Sequence, residues 1–184
     1  MSAEPPEPDS SRTVFSGRLL DVRVESWPAG EREVVRHPGA CAIVAVTPSE
    51  LVLLVRQFRE AVRRELLEIP AGIRDVEGES ASGCAARELM EETGCRAQSI
   101  EPLGSILTSP AFADERIDLF VARTVEEPEA ATQEDRVEPV KLPYRDALAA
   151  IEDGRIEDAK TIAALHLARH KVLGSDPLTA DPRR

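Results

Sequence analysis

Short apolar runs and alternating apolar and polar positions dominate the first part of the chain. A Pro-Ala-Gly turn at 28–30 separates the first two stretches, and a turn at 47–50 separates two strongly apolar runs. Runs of this length between turn residues are typical of β-strands. The stretches predicted as strands are 14–27 and 31–36, which form an N-terminal hairpin-like unit, followed by 40–46, 51–57 and 65–69.

The pattern then changes to that of an amphipathic helix. Residues 80–93 place Ala81, Ala85 and Leu89 on one stripe, and Gly94 follows as a suitable residue to end the helix. Further strands are predicted at 99–108, 116–122 and 137–142, and further helices at 144–153 and 159–172. This order favours a mixed α/β sandwich with an N-terminal β-strand unit over alternating parallel units.

The length of the chain favours a single domain. Its 184 residues suffice for one domain with a substantial core but are few for two. The start of the chain is acidic and rich in Pro, and its end carries no regular apolar pattern. We therefore predict a domain at 12–173 between disordered tails at 1–11 and 174–184.

Charge and cysteine content narrow the classes of function. The formal net charge is −11, whereas nucleic-acid backbones and anionic membranes require a basic surface, so neither is an expected partner. The three cysteines, Cys41, Cys84 and Cys95, show no paired spacing that would indicate zinc or a disulfide framework. Without a signal-peptide pattern or an apolar run of membrane-spanning length, a cytoplasmic protein is expected.

Two glutamates of the predicted first helix point to a cation. Glu88 and Glu92 are one turn apart on the same face, where like charges repel and weaken a helix. Most such pairs belong to a solvated surface, which is the simplest interpretation. The alternative is a bound hard divalent ion, Mg²⁺ or Mn²⁺, because both ions prefer oxygen ligands.

The residues around this pair resemble the box of the Nudix family, G-x5-E-x7-R-E-U-x-E-E-x-G-U, in which U is apolar. The matching residues are Gly72, Glu79, Arg87, Glu88, Glu91, Glu92 and Gly94. There are two departures from the pattern. Six residues separate Gly72 from Glu79 instead of five, and Cys95 occupies the last apolar position. An extra loop residue costs little free energy, so the departure concerns loop shape more than the helical spacing.

The resemblance implies a Nudix α/β/α sandwich with a mixed sheet, and hydrolysis of a nucleoside diphosphate linked to another group. The metal-binding residues that it implies are Ala71, through its carbonyl, and Glu88, Glu91 and Glu92. Arg87 is implied to bridge the carboxylates, with Glu79 as a further partner. Its spacing from Glu91 also suits a simple ion pair along the helix, and both interpretations remain open.

Stretches outside the box are similar to the ADP-ribose pyrophosphatase branch of the family. Residues 55–59 read Val-Arg-Gln-Phe-Arg and 65–72 read Glu-Leu-Leu-Glu-Ile-Pro-Ala-Gly, where the branch has R-Q-Y-R and then E-L-P-A-G. Residues 108–115 resemble S-P-G-F-x-D-E, with Ala111 in place of Gly. Together with 151–161, the resemblance extends over about residues 13–172.

By this resemblance, several residues are expected to contact the substrate. Arg59 is expected at the phosphates, although a strand-end Arg in a surface ion pair is the alternative. Arg36 occupies the place of an N-terminal Arg that can reach across a dimer. The substrate-binding candidates are Arg36, Phe58, Arg59, Glu68, Ser109, Pro110 and Phe112.

The carboxylate that activates water is left open among three glutamates. In this branch it often comes from an acidic loop after the last long strand, which corresponds here to residues 124–135. Glu134 aligns best with that carboxylate, and Glu115 and Glu91 are the competing candidates.

The resemblance therefore implies Mg²⁺-dependent hydrolysis of ADP-ribose to AMP and ribose 5-phosphate by a homodimer, with Mn²⁺ as a possible substitute. Another nucleoside diphosphate sugar is the alternative substrate. Two alternatives of other classes are a non-catalytic module that binds ADP-ribose and a charged scaffold without a ligand.

Overall fold

A computed structural model describes residues 6–124 and 137–174 of the chain. Within these ranges, the strands and helices follow the order predicted from the sequence, and most boundaries agree within two residues. The elements are β1 (Ser10–Ser16), β2 (Asp21–Trp27), β3 (Gly30–Arg36), β4 (Ala40–Val46), β5 (Leu51–Arg59), β6 (Arg64–Glu68), β7 (Ala71–Ile73), α1 (Ala81–Thr93), β8 (Ala97–Leu107), β9 (Arg116–Thr124), β10 (Val137–Pro143), α2 (Tyr144–Glu152) and α3 (Ala159–Leu173).

The strands form two sheets. β1, β2 and β3 make an antiparallel sheet, and the larger sheet has the order β10-β5-β4-β9-β8, with β6 beside β5 and β7 beside β4. In the larger sheet β4 and β9 run parallel, whereas the other pairs are antiparallel. The predicted mixed sheet is therefore confirmed.

Strand β4 separates two hydrophobic cores because its successive side chains point to opposite faces. Ala42 and Val44 belong to the core that also contains residues of α2 and α3. Cys41 and Ile43 belong to the core on the other face, which contains Ala85 and other residues of α1. The sheet thus lies between α1 on one side and α2 with α3 on the other, and the predicted α/β/α sandwich is confirmed.

Helix α1 begins and ends at residues suited to these positions. The Ser80 hydroxyl accepts a hydrogen bond from the backbone N–H of Gly83 at 3.0 Å. Gly94 has φ of 71° and donates its backbone N–H to Met90. A left-handed backbone is accessible to Gly without the steric cost that other residues bear. These caps set the position and length of the helix that carries the paired glutamates.

Replacing Ser80 by Ala should lower the free energy of unfolding by about 1 kcal/mol, because one N–H of the first turn loses its acceptor. Urea unfolding measures this change. Ser99→Ala, at an exposed position of β8, is the control and should have a smaller effect. Equal stability of Ser80→Ala and the wild-type protein would contradict the capping role.

The structure corrects the sequence interpretation at three places. The N-terminal unit is a three-stranded sheet and not a hairpin-like pair, and it begins at Ser10, two residues before the predicted domain boundary. Ile73, predicted in a loop, lies in β7, where it pairs with Ala40 of β4. This pairing depends on a strand distant in sequence, so local pattern could not reveal it.

Among the described residues, no helix has the length and apolarity needed to span a membrane.

Candidate functional site

The paired glutamates of α1 face the interior of the protein. Glu88 is 8% exposed and Glu92 is 5% exposed, on the same helix side as the core residues Ala85 and Leu89. A solvated helix face is therefore the wrong interpretation for these two side chains. Buried carboxylates at this spacing need compensation by hydrogen bonds, by basic side chains or by a cation.

Strand β7 passes directly beside these carboxylates. The backbone N–H of Ala71 donates to Glu92 Oε2 at 3.2 Å. At Gly72, an added Cβ would lie 2.0 Å from Glu88 Cδ and 2.1 Å from its Oε1. A side chain at position 72 would therefore occupy the space of the Glu88 carboxylate. The Gly of the box is required here for close approach, since its φ is not in the left-handed region.

Gly72→Ala should reduce turnover about a hundredfold, because a displacement of about 1 Å in an active site can cost that much. The added methyl group would push the Glu88 carboxylate out of its position. The measurement is kcat with the best substrate at saturating metal. Gly17→Ala is the control, because there the nearest contact, at 2.9 Å, is the exposed ring of Phe15. Unchanged kcat in Gly72→Ala would show that the position of Glu88 does not matter for turnover.

Arg87 connects the carboxylates of the box. Its guanidinium donates to both oxygens of Glu79 at 3.1 Å, to Glu88 Oε1 at 2.6 Å and to Glu91 Oε2 at 3.1 Å. The two roles predicted for Arg87, a bridge between carboxylates and an ion pair with Glu91 along the helix, therefore occur together. The hydrogen bonds that Arg87 donates to Glu79 and the charges of Glu88 and Glu79 outweigh desolvation and raise the pKa of Arg87, so it stays a cation. Glu79 reaches Arg87 despite the extra residue in the loop before it.

A cleft of about 540 Å³ opens beside β7 and contains several of the predicted site residues. It lies between the turn after β5, the loop after β8 and the start of α3. The predicted residues that line it are Arg59, Glu68, Ala71, Ser109 and Glu115, and Gly72 lines it as well. Since Ala71 and Gly72 also contact Glu92 and Glu88, the cleft lies next to the buried carboxylates.

Glu68 lies at the base of this cleft between two basic side chains. It is 1% exposed, and Arg59 donates to both of its oxygens at 2.8 and 2.6 Å. Lys160 of α3 also donates to Glu68 Oε2, and its Nζ lies 3.1 Å from Asp158 Oδ2. Burial alone would raise the pKa of Glu68, but the hydrogen bonds from Arg59 and the charge of Lys160 lower it below its usual range. Arg59 is therefore held by a buried carboxylate and not by a surface partner.

Lys160 was not among the residues proposed from the sequence. It is 92 residues from Glu68, so only the packing of α3 against the sheet joins them. Thr161, its neighbour, is fully buried and accepts a hydrogen bond from the backbone N–H of Ile69 at 2.9 Å. The only sign of Lys160 in the sequence was its place next to Thr161, just after the helix-capping Asp158. Surface helices commonly begin in the same way, so this pattern did not indicate a site residue.

The other predicted substrate residues do not line this cleft. Arg36 donates to Glu25 at 2.7 Å and to Asp114 at 3.0 Å, and so connects β3 to β2 and to the loop after β8. Both aromatic candidates, Phe58 and Phe112, are exposed. Pro110 is exposed as well. Glu134 and the rest of the predicted acidic loop from residue 125 onward lie outside the described residues.

The loop after β8 tolerates the replacement of Gly by Ala111. Among described residues other than glycine, φ is positive only at Glu50 and Arg63. Ala111 therefore has an ordinary backbone conformation and bears no strain. The loop is closed instead by the Ser109 carbonyl, which accepts the backbone N–H groups of Phe112 and Ala113 at 3.0 and 2.9 Å.

The carboxylate oxygens of Glu88 and Glu92 are of the kind that binds a hard cation, although they do not form a complete metal-binding cluster. Over residues 6–124 and 137–174, no three His, Cys, Asp or Glu side chains converge in a way that would hold a metal ion. Glu88 and Glu92 are nonetheless two buried carboxylates on one helix face, and Arg87 donates a hydrogen bond to Glu88. Oxygen donors of this kind favour Mg²⁺ or Mn²⁺ over softer metals.

Comparison with known proteins identifies relatives along most of the chain. A family model described as the NUDIX domain matches residues 35–165. An ADP-ribose pyrophosphatase of Bacillus subtilis (strain 168) is 37% identical over 166 residues, which cover 86% of this chain and 89% of that protein. A GDP-mannose pyrophosphatase of Yersinia enterocolitica is 36% identical over 149 residues, which cover 75% of this chain and 77% of that protein.

A solved structure shares the fold. The crystal structure of an ADP compounds hydrolase matches with a TM-score of 0.74 and 24% sequence identity, over 95% of this chain and 97% of that chain. At this level of identity the likeness concerns the fold, and it agrees with the sheet order and helix layers described above.

Proposed function

The chain belongs to the Nudix family and is a hydrolase of pyrophosphate bonds, and from this premise we propose that it cleaves ADP-ribose to AMP and ribose 5-phosphate. The observation that carries the proposal is the cleft. It places Arg59 and Lys160 beside Ala71 and the box residue Gly72, whose backbone lies next to the buried carboxylates of Glu92 and Glu88. A diphosphate is anionic and suits this arrangement. The resemblance of residues 55–59 and 108–115 to one branch of the family supports ADP-ribose.

Nudix hydrolases generally use divalent cations, and we propose Mg²⁺ here, with Mn²⁺ as a substitute. Glu88 and Glu92 would hold the cation, with Glu91 and the carbonyl of Ala71 as further predicted ligands. A bound cation would neutralise charge on the diphosphate and lower the pKa of an attacking water. Arg87 would keep the carboxylates oriented, since it donates to both Glu88 and Glu91.

The chain's own groups have separate proposed tasks in the cleft. Arg59, fixed by Glu68, would orient the phosphates through the part of its guanidinium that faces the cleft. Glu115 also lines the cleft and would accept the proton of water. Glu91 is less suited to that task because one of its oxygens already accepts a hydrogen bond from Arg87. Glu134 stays a prediction from sequence.

A substrate panel tests the proposal. ADP-ribose should have a kcat/KM at least about tenfold above GDP-mannose, UDP-glucose and NADH, a difference of about 1.4 kcal/mol in the transition state. Chromatography of AMP and ribose 5-phosphate, with and without Mg²⁺, provides the measurement. Equal rates across the sugars, or a preference for NADH, would overturn the assignment of ADP-ribose.

A second candidate substrate is GDP-mannose, because a relative that is 36% identical is a GDP-mannose pyrophosphatase. The carboxylates of α1 concern only the diphosphate and therefore do not distinguish the two substrates. A preference for GDP-mannose in the same panel would establish this alternative without altering the proposed metal site.

We also propose that the active species is a homodimer. The exposed side chains of Val14 and Phe15 in the N-terminal sheet support this proposal, since both are apolar and lie outside the two cores. In such a dimer, Arg36 could contact the substrate bound to the partner subunit, as the family resemblance implies. Light scattering at the concentration of the activity assay measures the mass, and a monomer that is fully active would contradict the proposal.

A further inference from the structure

His37 lies in the wall of the cleft, and one of its two ring nitrogens accepts a hydrogen bond. Its side chain is 11% exposed and lines the cleft directly after β3. The backbone N–H of Gly39 donates to His37 Nδ1 at 3.1 Å. A nitrogen that accepts a hydrogen bond carries no proton, so the proton of the neutral ring is on Nε2. His37 therefore presents an N–H donor on its other side.

That donor faces Glu115. His37 Nε2 lies 3.7 Å from Glu115 Oε1, and the other oxygen, Oε2, accepts a hydrogen bond from the Thr108 hydroxyl at 2.7 Å. A separation of 3.7 Å is longer than a formed hydrogen bond. Hydrogen bonds in active sites are often long without substrate and shorten when it binds. The two oxygens of Glu115 thus face two different donors, one formed and one close to forming.

The backbone around His37 also fixes the ring relative to this loop. The backbone N–H of His37 donates to Asp114 Oδ1 at 2.8 Å, and Asp114 is the residue before Glu115. The other oxygen of that carboxylate, Asp114 Oδ2, accepts a hydrogen bond from the Arg36 guanidinium at 3.0 Å. The segment that carries His37 and the loop that carries Glu115 are therefore joined at two points through Asp114.

We propose that His37 is a positioning residue for Glu115, which it holds in one orientation towards the cleft by donating from Nε2 when substrate is bound. With Thr108 on one oxygen and His37 on the other, the plane of the carboxylate is set. This inference rests on the proposed function, in which Glu115 acts on substrate or water in the cleft. Loss of such an orienting partner typically costs about tenfold to a hundredfold in activity.

The competing explanation is that His37 only shapes the turn that ends at Gly39. Gly39 has φ of 90°, and its N–H is held by Nδ1. Because the two roles use different ring nitrogens, two substitutions separate them. In His37→Asn, the amide oxygen can replace Nδ1 as the acceptor for Gly39, but no donor reaches Glu115. In His37→Gln, the amide nitrogen can replace Nε2 as the donor to Glu115, but the acceptor near Gly39 is lost.

The experiment measures kcat and KM of both variants, alone and combined with Glu115→Gln, using the best substrate of the panel. We expect His37→Asn to lower kcat at least about tenfold with little change in KM, and His37→Gln to retain more activity than His37→Asn. In the Glu115→Gln background, His37→Asn should cause less than half of its effect on the logarithmic scale.

Three results would overturn the proposal: wild-type kcat in His37→Asn, a greater loss in His37→Gln than in His37→Asn, or an undiminished effect of His37→Asn in the Glu115→Gln background. The second result would assign His37 to the turn at Gly39, and the third would show that His37 does not act through Glu115. A wrong assignment of ADP-ribose would appear differently, as a preference of the wild-type enzyme for another substrate. All variants are compared with the same substrate, so the test of His37 does not require that substrate to be ADP-ribose.

Discussion

Glu92→Gln should lower kcat for diphosphate hydrolysis by about three orders of magnitude, which corresponds to about 4 kcal/mol of lost transition-state stabilisation. The amide has the size of the carboxylate, and its oxygen can still accept the N–H of Ala71 that lies 3.2 Å from Glu92 Oε2. It has no negative charge, however, and would bind a divalent cation poorly. The substitution therefore removes the proposed ligand while it preserves the local packing.

Stability measurements separate loss of the metal site from loss of the fold. Glu88 and Glu92 are like charges one turn apart and both buried, so neutralising one should leave the free energy of unfolding unchanged or higher. Saturating Mg²⁺, at about a hundred times its Kd, should stabilise the wild-type protein by about 2.7 kcal/mol through mass action. The variant should show a smaller increase in thermal midpoint at the same Mg²⁺ concentration.

Glu152→Gln is the matched control, because Glu152 is an exposed glutamate of another helix, α2. It should behave as the wild-type protein in both assays. If Glu92→Gln kept activity within about tenfold of the wild type, the assignment of Glu92 as a metal ligand would be wrong. A wild-type protein that binds ADP-ribose without cleaving it would favour the non-catalytic module. Absence of both binding and a Mg²⁺ effect would favour the charged scaffold.

Glu68→Gln should lower the free energy of unfolding at neutral pH by about 3 kcal/mol, because it breaks a buried ion pair and leaves charge without compensation. Glu68 is 1% exposed, and both of its basic partners, Arg59 and Lys160, would remain. The amide of Gln would place an N–H group against Arg59 or Lys160, where the carboxylate of Glu68 offers an acceptor. Urea unfolding at pH 7 measures the loss.

The pH dependence of this difference provides a separate check. The folded state lowers the pKa of Glu68, so at intermediate pH the unfolded chain binds more protons and stability rises with pH. The contribution of Glu68 is therefore complete above the pKa of an ordinary Glu, about 4.3, and is lost as the pH falls through the lower folded value. The stability difference between the wild type and Glu68→Gln should be full at pH 7 and shrink in acid.

Glu65→Gln is the control for this experiment, since Glu65 is exposed on the same strand, β6. Its stability should differ little from that of the wild type at any pH. A loss in Glu68→Gln no larger than in Glu65→Gln would show that the pair with Arg59 and Lys160 contributes nothing net. A loss that persisted in acid would assign the effect to packing and not to charge.

The pattern of residues along the chain was enough to predict the order of most elements and the local geometry of the box. Strand periodicity, the cap at Ser80 and the Gly at position 94 act within a few residues, so each is readable from neighbouring positions. The placement of Glu88 and Glu92 on one face follows from the helical repeat alone. The α/β/α sandwich itself came from the family resemblance, and the structure agrees with it.

The three-dimensional packing was needed to show which side chains share the cleft. The packing of α3 joins Lys160 to Glu68 across 92 residues. The pairing of β7 with β4 places Ala71 and Gly72 beside the buried Glu92 and Glu88. Arg36, Phe58 and Phe112, which the resemblance gave as substrate-binding candidates, do not line the cleft. Such contacts depend on long-range pairing of strands, which leaves no periodic signal along the chain.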